Sequence, residues 1–553
     1  MSPAPDVSAL LSEAAARAAQ RPAVLAAGRS ITFQELDTEA WRLAEGLARR
    51  GVGPGVRTAL LVPPGIEFVS LTFALFRVGA VPVLIDPGIG WENMGRCLAE
   101  AEPSAFIGST KAHLARLAGG WAKGSLTTLM TTGGMRLPGW LNLGDIRESA
   151  TASSPDGSTA PRGGAVGVGA CGADVGNGKM AAILFTSGST GSPKGVVYTQ
   201  EIFGQQALML REHLRIEPGE YSVPTFPLFA LFDVALGLSA VIPRMDATRP
   251  ARVDPREVIL PIHKHGAVQL FGSPALLDAV GRYGERHGIV LPSLKRVISA
   301  GAPVPARVLA RVARMLAPGA EIYTPYGATE ALPVACITGA EVLGETAALT
   351  AQGRGVCVGR PWPGMDVRII RIGDKPIPAW SDSLAVPRGE IGEIVIQGPV
   401  VTREYFRRPE ATALAKIADP DGKVRHRMGD LGYLDEKDRL WFCGRKSHRV
   451  AAAQQTLYSI PCEGVFNLHP CVRRTALVGV ASESGAVPVL CVELEPGADE
   501  DRVRRELLET AQRFAHTRSI RRVLFHPGFP VDVRHNAKIF RERLAGWAKA
   551  RIS

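Results

Sequence analysis

Nothing in this sequence supplies a ready-made metal cage or disulfide framework: its eight cysteines include no CxxC pair and no metal-ligand spacing. Cys97, Cys336, Cys357, Cys443 and Cys491 each stand among apolar neighbours, so free, buried thiols in a reducing cytoplasm are expected. The first residues, MSPAPDVSALLSEAAARAAQRP, lack the basic start and apolar core of a secretory signal, and export is not expected. An uninterrupted apolar run of membrane length is also missing. The nearest approach is TFPLFALFDVALGLSAVIP, Thr225 to Pro243, but Asp233 near its centre would cost about 2.5–3.5 kcal/mol in a bilayer, and Pro227 breaks its first turn. A buried helix beside a ligand site is expected instead, and no transmembrane segment. Blocks of one charge are absent as well. The formal charge of +11 comes from basic residues, mostly arginines, scattered along the chain. It speaks for solubility and attraction of anionic substrates rather than for nucleic acid.

What is present points to an α/β enzyme. At 553 residues and 46% hydrophobic content, the chain has room for more than one buried core. From Ile31 to about Pro87 helical and strand patterns alternate, with TALLVPP and AVPVLIDPG as short apolar runs ending in proline or glycine, the wiring of a parallel sheet. Residues 150–178, rich in Ala, Gly and Ser, read as a surface loop. Within it Gly167, Gly169 and Gly172 match GxGxxG, but no strand precedes them and no amphipathic helix follows, which removes the dinucleotide reading. Alternation resumes through ILFTSGSTG, VQLFGSPALL, RVISAGAPVP and EIYTPYGATE. Each is an apolar strand running into a Gly- or Pro-rich turn, as at the ligand-binding carboxyl edge of an α/β sheet. After Arg445 the pattern becomes a small α+β unit with TALVGV and PVLCVELEP as strands. The expected architecture is a large N-terminal domain, residues 1–444, of doubly wound α/β subdomains plus a small β region, followed by a small α+β domain, 445–553.

The strongest local motif is TSGSTGSPKG, Thr186 to Gly195, directly after the strand AAILF. Small residues at Ser187, Gly188, Ser189, Thr190 and Gly191 let successive backbone N–H groups face a polyphosphate, the hydroxyls add donors, and Lys194 adds a point charge. It is not a Walker loop, because its lysine follows proline and precedes glycine.

Together with YGATE at Tyr326–Glu330, GDLGY at Gly429–Tyr433, Gly444-Arg445 and Asn536-Ala-Lys538, this motif resembles the acyl-AMP-forming superfamily of acyl-CoA synthetases, peptide-synthetase adenylation domains and luciferases. The resemblance spans nearly the whole chain and implies roles residue by residue. Gly301, Ala302 and Pro303 would form the turn on which adenine lies, with Tyr326 and Gly327 on its other face. Thr329 would bond the α-phosphate, and Glu330 would hold Mg²⁺ between phosphate oxygens of ATP, a hard ligand for a hard ion. Asp430 would accept both ribose hydroxyls, and Arg445 would support the ribose and a hinge. Lys538, on a mobile C-terminal domain, would meet the charge that builds on the α-phosphate. Phe229, Ala230, Asp233 and Gly272 would border the acyl group.

Several segments depart from the superfamily pattern. A small residue, Ala230, follows PLF where an aromatic or histidine is common. The hairpin Ser447–Tyr458, SHRVAAAQQTLY, has no glycine where acyl-CoA synthetases carry a glycine-rich one that helps admit the pantetheine thiol. With these departures included, FPLFALFDVALGLSAVIPRMDATRPA, TPYGATEALPVA, HRMGDLGYLD, RLWFCGRKSHRV and FPVDVRHNAKI closely resemble the β-lactone synthetases of bacterial long-chain olefin and β-lactone biosynthesis. The resemblance implies adenylation of a 2-alkyl-3-hydroxy acid, then attack by the substrate's own hydroxyl with no thiol acceptor. It also implies assembly with other enzymes of such a pathway. His448 beside the hinge is the candidate base for that hydroxyl, with Asp233, His265 and Glu463 behind it.

Overall fold

A computed structural model describes residues 6–134, 138–151, 180–186, 192–483, 485–531 and 539–552. Short, fully apolar runs become parallel strands: Arg57–Leu61 pairs with Val81–Leu84 on one side and Ala105–Gly108 on the other, and Thr128–Thr131 and Met180–Phe185 extend the same sheet. Leu141–Asn142 closes one edge, and Gly195–Thr199, antiparallel to Met180–Phe185, closes the other. A second sheet runs in parallel through Pro22–Ala26, Ser239–Ile242, Tyr221–Pro224, Gln269–Phe271, Arg296–Ile298 and Glu321–Ala328. It then continues antiparallel through Ala331–Thr338, Val356–Pro361, Leu440–Arg445, Val424–Leu434, Gly392–Gln397 and Asp366–Ile370. The small β region is therefore an extension of the second α/β sheet, not a separate layer.

Helices bind the two sheets together. Phe33–Arg49 begins at a capping box in which the Thr32 and Glu35 side chains and backbones satisfy each other. Ile66–Arg77 is buried over almost its whole circumference because it touches strands of both sheets, and the largest apolar cluster spans both.

The apolar stretch from Thr225 to Pro243 is not one helix. Pro227–Ala235 is helical, Gly237 takes a φ of +83°, and Ser239–Ile242 is a strand. The left-handed glycine ends the helix, and the chain leaves it for the sheet. No helix among the described residues is long and apolar enough to cross a membrane.

Beyond Arg445 the elements form their own sheets. Val450–Ala451 pairs with Thr456–Leu457, and Val472–Ser482, Gly485–Leu494 and Arg522–Phe525 make a three-stranded sheet. Two apolar clusters, one around Leu477 and Leu490 and the other around Ala476 and Val489, occupy its two faces. The result is a mixed α/β molecule with a large, sheet-rich N-terminal domain and a small C-terminal one.

Candidate active site

Parallel strands of both sheets send their carboxyl ends into one continuous cavity of about 2080 Å³. That exceeds the roughly 300–1,000 Å³ of a common small-ligand site and leaves space for a nucleotide and a long acyl chain together.

At the polar end the strand Arg296–Ile298 runs into the turn that carries Gly301, Ala302 and Pro303, all three on the cavity wall. Gly301 has a φ of +96°, a conformation that a side chain would strain. The neighbouring strand Glu321–Ala328 brings Tyr326 and Gly327 to the same wall, and the turn after it brings Thr329 and Glu330. The Tyr326 hydroxyl donates to Asp430 Oδ2 at 2.7 Å, and Arg445 Nη1 lies 3.0 Å from Asp430 Oδ1. Asp430 and Arg445 face each other directly across antiparallel strands, so the pairing is built into the sheet register. Burial and the adjacent carboxylate push the Tyr326 phenol well above its ordinary pKa, while Asp430 holds the Arg445 guanidinium up.

Thr186 and Lys194, the two described ends of the TSGSTGSPKG segment, pair with each other. Thr186 N–H donates to the Lys194 carbonyl at 3.0 Å, and Lys194 N–H donates to Thr186 Oγ1 at 3.2 Å. Ser187, Gly188, Ser189, Thr190, Gly191 and Lys538 lie outside the described residues, as do residues 152–179 with Gly167, Gly169 and Gly172.

Three polar residues at this end were assigned no role from the sequence, two of them outside every quoted motif and His426 at the head of HRMGDLGYLD. Tyr405 donates its hydroxyl to Glu330 Oε1 at 2.6 Å, while Lys194 Nζ stands 4.9 Å from its ring centroid. One tyrosine thus contacts both the carboxylate and the lysine that the motifs supply. Burial and the Glu330 charge push its phenol far up, so it stays a donor. Lys416 is buried behind it, its ammonium pushed down to about 7 by burial and partly restored by the Glu330 charge. His426, opposite Lys416 on the next strand, lines the cavity and is held neutral, first by burial and then by Lys416. The visible trace was a lysine inside the apolar run ALAKIA.

On the hinge side, Gly444 combines a φ of +119° with Ser459 Oγ only 2.4 Å from where a Cβ would stand. This lets the helix Ser459–Phe466 pack against the strand Leu440–Arg445. His448 follows in a single helical turn and lines the cavity. Burial, then the Arg541 and Arg445 guanidiniums, push its pKa down to about 3. The nearest carboxylate oxygen, Glu542 Oε1, is 3.6 Å away, beyond hydrogen-bond reach. At neutral pH His448 is therefore an uncharged acceptor with little capacity to hold a proton. Arg541, also absent from the sequence reading, lines the cavity and grips Glu463 in a two-pronged pair at 2.5 and 2.9 Å. Glu463 accepts the Leu477 N–H as well, which makes it a structural anchor instead of a base.

The apolar arm begins at Phe229, whose ring stacks on Phe271 with centroids 3.5 Å apart and lies edge-on to Phe226 and Phe232. Three expected neighbours of the acyl group do not reach it. Ala230 is buried in the core, and Gly272 faces Leu276 behind the strand end. Asp233 turns to the sheet, where its Oδ1 accepts from Gln269 Nε2 at 2.9 Å and burial raises its pKa to about 7. Helical spacing alone would put Asp233, four residues after Phe229, near the same face; the hydrogen bond from Gln269 is what holds its carboxylate against the sheet. His265, stacked on Tyr221, is likewise off the cavity. Of the glycine-free hairpin Ser447–Tyr458, Ser447 and His448 line the cavity and residues 449–458 do not; Ala453 packs at Gly485.

The model of the AMP-binding enzyme family matches residues 11–406. The olefin beta-lactone synthetase of Xanthomonas campestris pv. campestris is 48% identical over 94% of this chain and 91% of its own length. That of Stenotrophomonas maltophilia is also 48% identical, over 95% and 92%. Among solved structures, the amide bond synthetase McbA from Marinactinospora thermotolerans shares the fold, with a TM-score of 0.78 at 24% identity over 98% of this chain and 99% of that one. With family motifs on the wall of one cavity, a family match over most of its length and near-full-length relatives at this identity, the chain belongs to the AMP-binding enzyme family.

Proposed function

We propose that this chain is an ATP-dependent β-lactone synthetase that acts on a 3-hydroxy acid, with a long 2-alkyl arm seated along the aromatic-lined part of the cavity. The observation that carries the reading is 48% identity over 94% of the chain with an olefin beta-lactone synthetase. In the first half-reaction a substrate carboxylate oxygen attacks the α-phosphorus of ATP, the bond to the β-phosphate oxygen breaks, and pyrophosphate leaves. Lys194 and the backbone of the segment Thr186–Lys194 would hold the phosphates, Thr329 the α-phosphate, and Asp430 with Arg445 the ribose. Lys538 would stabilise the charge that develops during attack.

No group of three or more His, Cys, Asp or Glu among the described residues forms a metal cage. A lone carboxylate, Glu330, beside the phosphate end suits Mg²⁺ held mainly by phosphate oxygens and water. When bound, the ion would neutralise phosphate charge. In the second half-reaction the substrate's 3-hydroxyl oxygen attacks the acyl carbonyl, the bond to AMP breaks, and the hydroxyl proton is released. Its effective concentration can reach on the order of 10⁵ M when aligned, so a thiol acceptor is unnecessary. Neutral His448 would orient that hydroxyl by accepting its hydrogen bond.

Mass spectrometry of a reaction containing ATP, Mg²⁺ and a 3-hydroxy acid, without CoA, tests this directly. A β-lactone, AMP and pyrophosphate are expected, and the 3-deoxy analogue should stall as bound acyl-AMP. Rapid conversion of the deoxy acid to a thioester on addition of CoA would replace this reading with an acyl-CoA ligase.

A further inference from the structure

Burying an ammonium costs free energy that an apolar side chain of similar length would not. Lys416 is nevertheless buried, and among the described residues its hydrogen-bond partner is uncharged. Both of its hydrogen bonds go to one residue: Nζ donates to the Thr402 carbonyl and, at 3.2 Å, to Thr402 Oγ1. Thr402 passes the contact on. Its N–H and its hydroxyl both donate to the Glu330 carbonyl, at 2.9 and 3.0 Å. Thr402 lies beside an isolated bridge between Val401 and Ala331, which fastens the same turn to the same segment.

We propose that Lys416, acting through Thr402, is a positioning residue that fixes the turn carrying Glu330. The main chain of that turn is held by two donors from Thr402, and its carboxylate is aimed by Tyr405. Lys416 orients the Thr402 hydroxyl, because an oxygen that accepts from the ammonium must send its own proton the other way, to the Glu330 carbonyl. The relay crosses from the strand Lys416–Ala418 to a turn 86 positions earlier in the chain, which is why no motif contains it. Rigidity at this place matters because a carboxylate that serves an ion held mainly by phosphate must already stand where the phosphates arrive.

The inference rests on Glu330 being the Mg²⁺ ligand, so Glu330→Gln is measured beside Lys416→Met and Thr402→Val, which remove the donors while keeping bulk. Two readouts apply to each: the Mg²⁺ concentration for half-maximal adenylation, and calorimetric binding of Mg²⁺ with a non-hydrolysable ATP analogue. Loss of one charge-assisted hydrogen bond should raise the half-saturating Mg²⁺ and weaken calorimetric binding by about threefold to tenfold in each single variant. The double variant should be little worse than either single one, because both act through one contact. If Glu330→Gln shifts the Mg²⁺ requirement and neither of the others does, the relay is refuted while the metal role stands. A drop in melting temperature and kcat with unchanged Mg²⁺ dependence also refutes it, since that is what a purely structural lysine would give. An unshifted Glu330→Gln would bring down both readings. Should Lys416→Met fail to fold, Thr402→Val alone decides.

Discussion

Replacing His448 by asparagine tests whether this histidine is a stored-proton base or an uncharged acceptor. Its pKa falls from the ordinary 6.5 to about 3 through burial and the Arg541 and Arg445 charges. The folded chain therefore binds no proton here at a pH where the unfolded chain does. Proton binding to the unfolded state alone favours unfolding, so stability from this group is intact above the unfolded pKa and declines as pH falls below it. At about pH 5 the unfolded imidazole is almost fully charged and the folded one is not, which corresponds to about 2 kcal/mol at 1.36 kcal/mol per unit. At about pH 7.5 the same difference is close to zero. Urea denaturation of wild type and His448→Asn at these two values isolates the contribution, because every other titrating group is shared. Wild type should lose about 2 kcal/mol more than the variant on acidification. The pH profile of kcat should carry no ascending limb near 6.5 that the substitution removes. Equal acid losses in the two proteins, or a limb that disappears in the variant, would refute the reasoning and return His448 to the role of general base.

Three further outcomes are expected. Lys538→Ala should slow pyrophosphate release by orders of magnitude with ATP affinity largely kept, because a charge needed in the transition state adds little to ground-state binding; near wild-type release would exclude the role. Gly444→Ala should destabilise the interface between the strand Leu440–Arg445 and the helix Ser459–Phe466 by about 1–3 kcal/mol, from the strained φ and the Ser459 contact; an unchanged melting temperature would show that the junction yields freely. Asp233→Asn should leave KM for the acid unchanged, since the side chain turns away from the cavity. Its folded pKa is raised to about 7, so wild type carries a cost that grows as pH rises from the unfolded carboxylate pKa through the folded one. The variant should gain stability relative to wild type between about pH 5 and pH 8, and a gain on acidification instead would reverse that assignment.

Much of the molecule was legible in the chain. Apolar strands followed by Gly- and Pro-rich turns pointed to the α/β class and placed Gly301–Pro303, Tyr326 and Glu330 at or beside strand ends; Asp430 and Arg445, paired across antiparallel strands, were legible only through the family resemblance. The small C-terminal unit was equally visible, since its alternating strands follow a change of pattern after Arg445. Tertiary structure decided what depends on direction and distance. Asp233 and Ala230 sat in the right segment of a nine-residue helix, but neither lines the cavity, Asp233 because Gln269 on the sheet holds its carboxylate, and one-dimensional order does not show such a partner. Thr402, Tyr405 and Lys416 carry ordinary side chains in unremarkable segments, yet the bridge of Val401 to Ala331 sets them against Glu330. His448 was identified by position, but its pKa is set first by burial in the fold and then by Arg541, 93 residues away in the chain. Local sequence chooses the chemical groups; the packing of distant strands and helices sets their charge and aim.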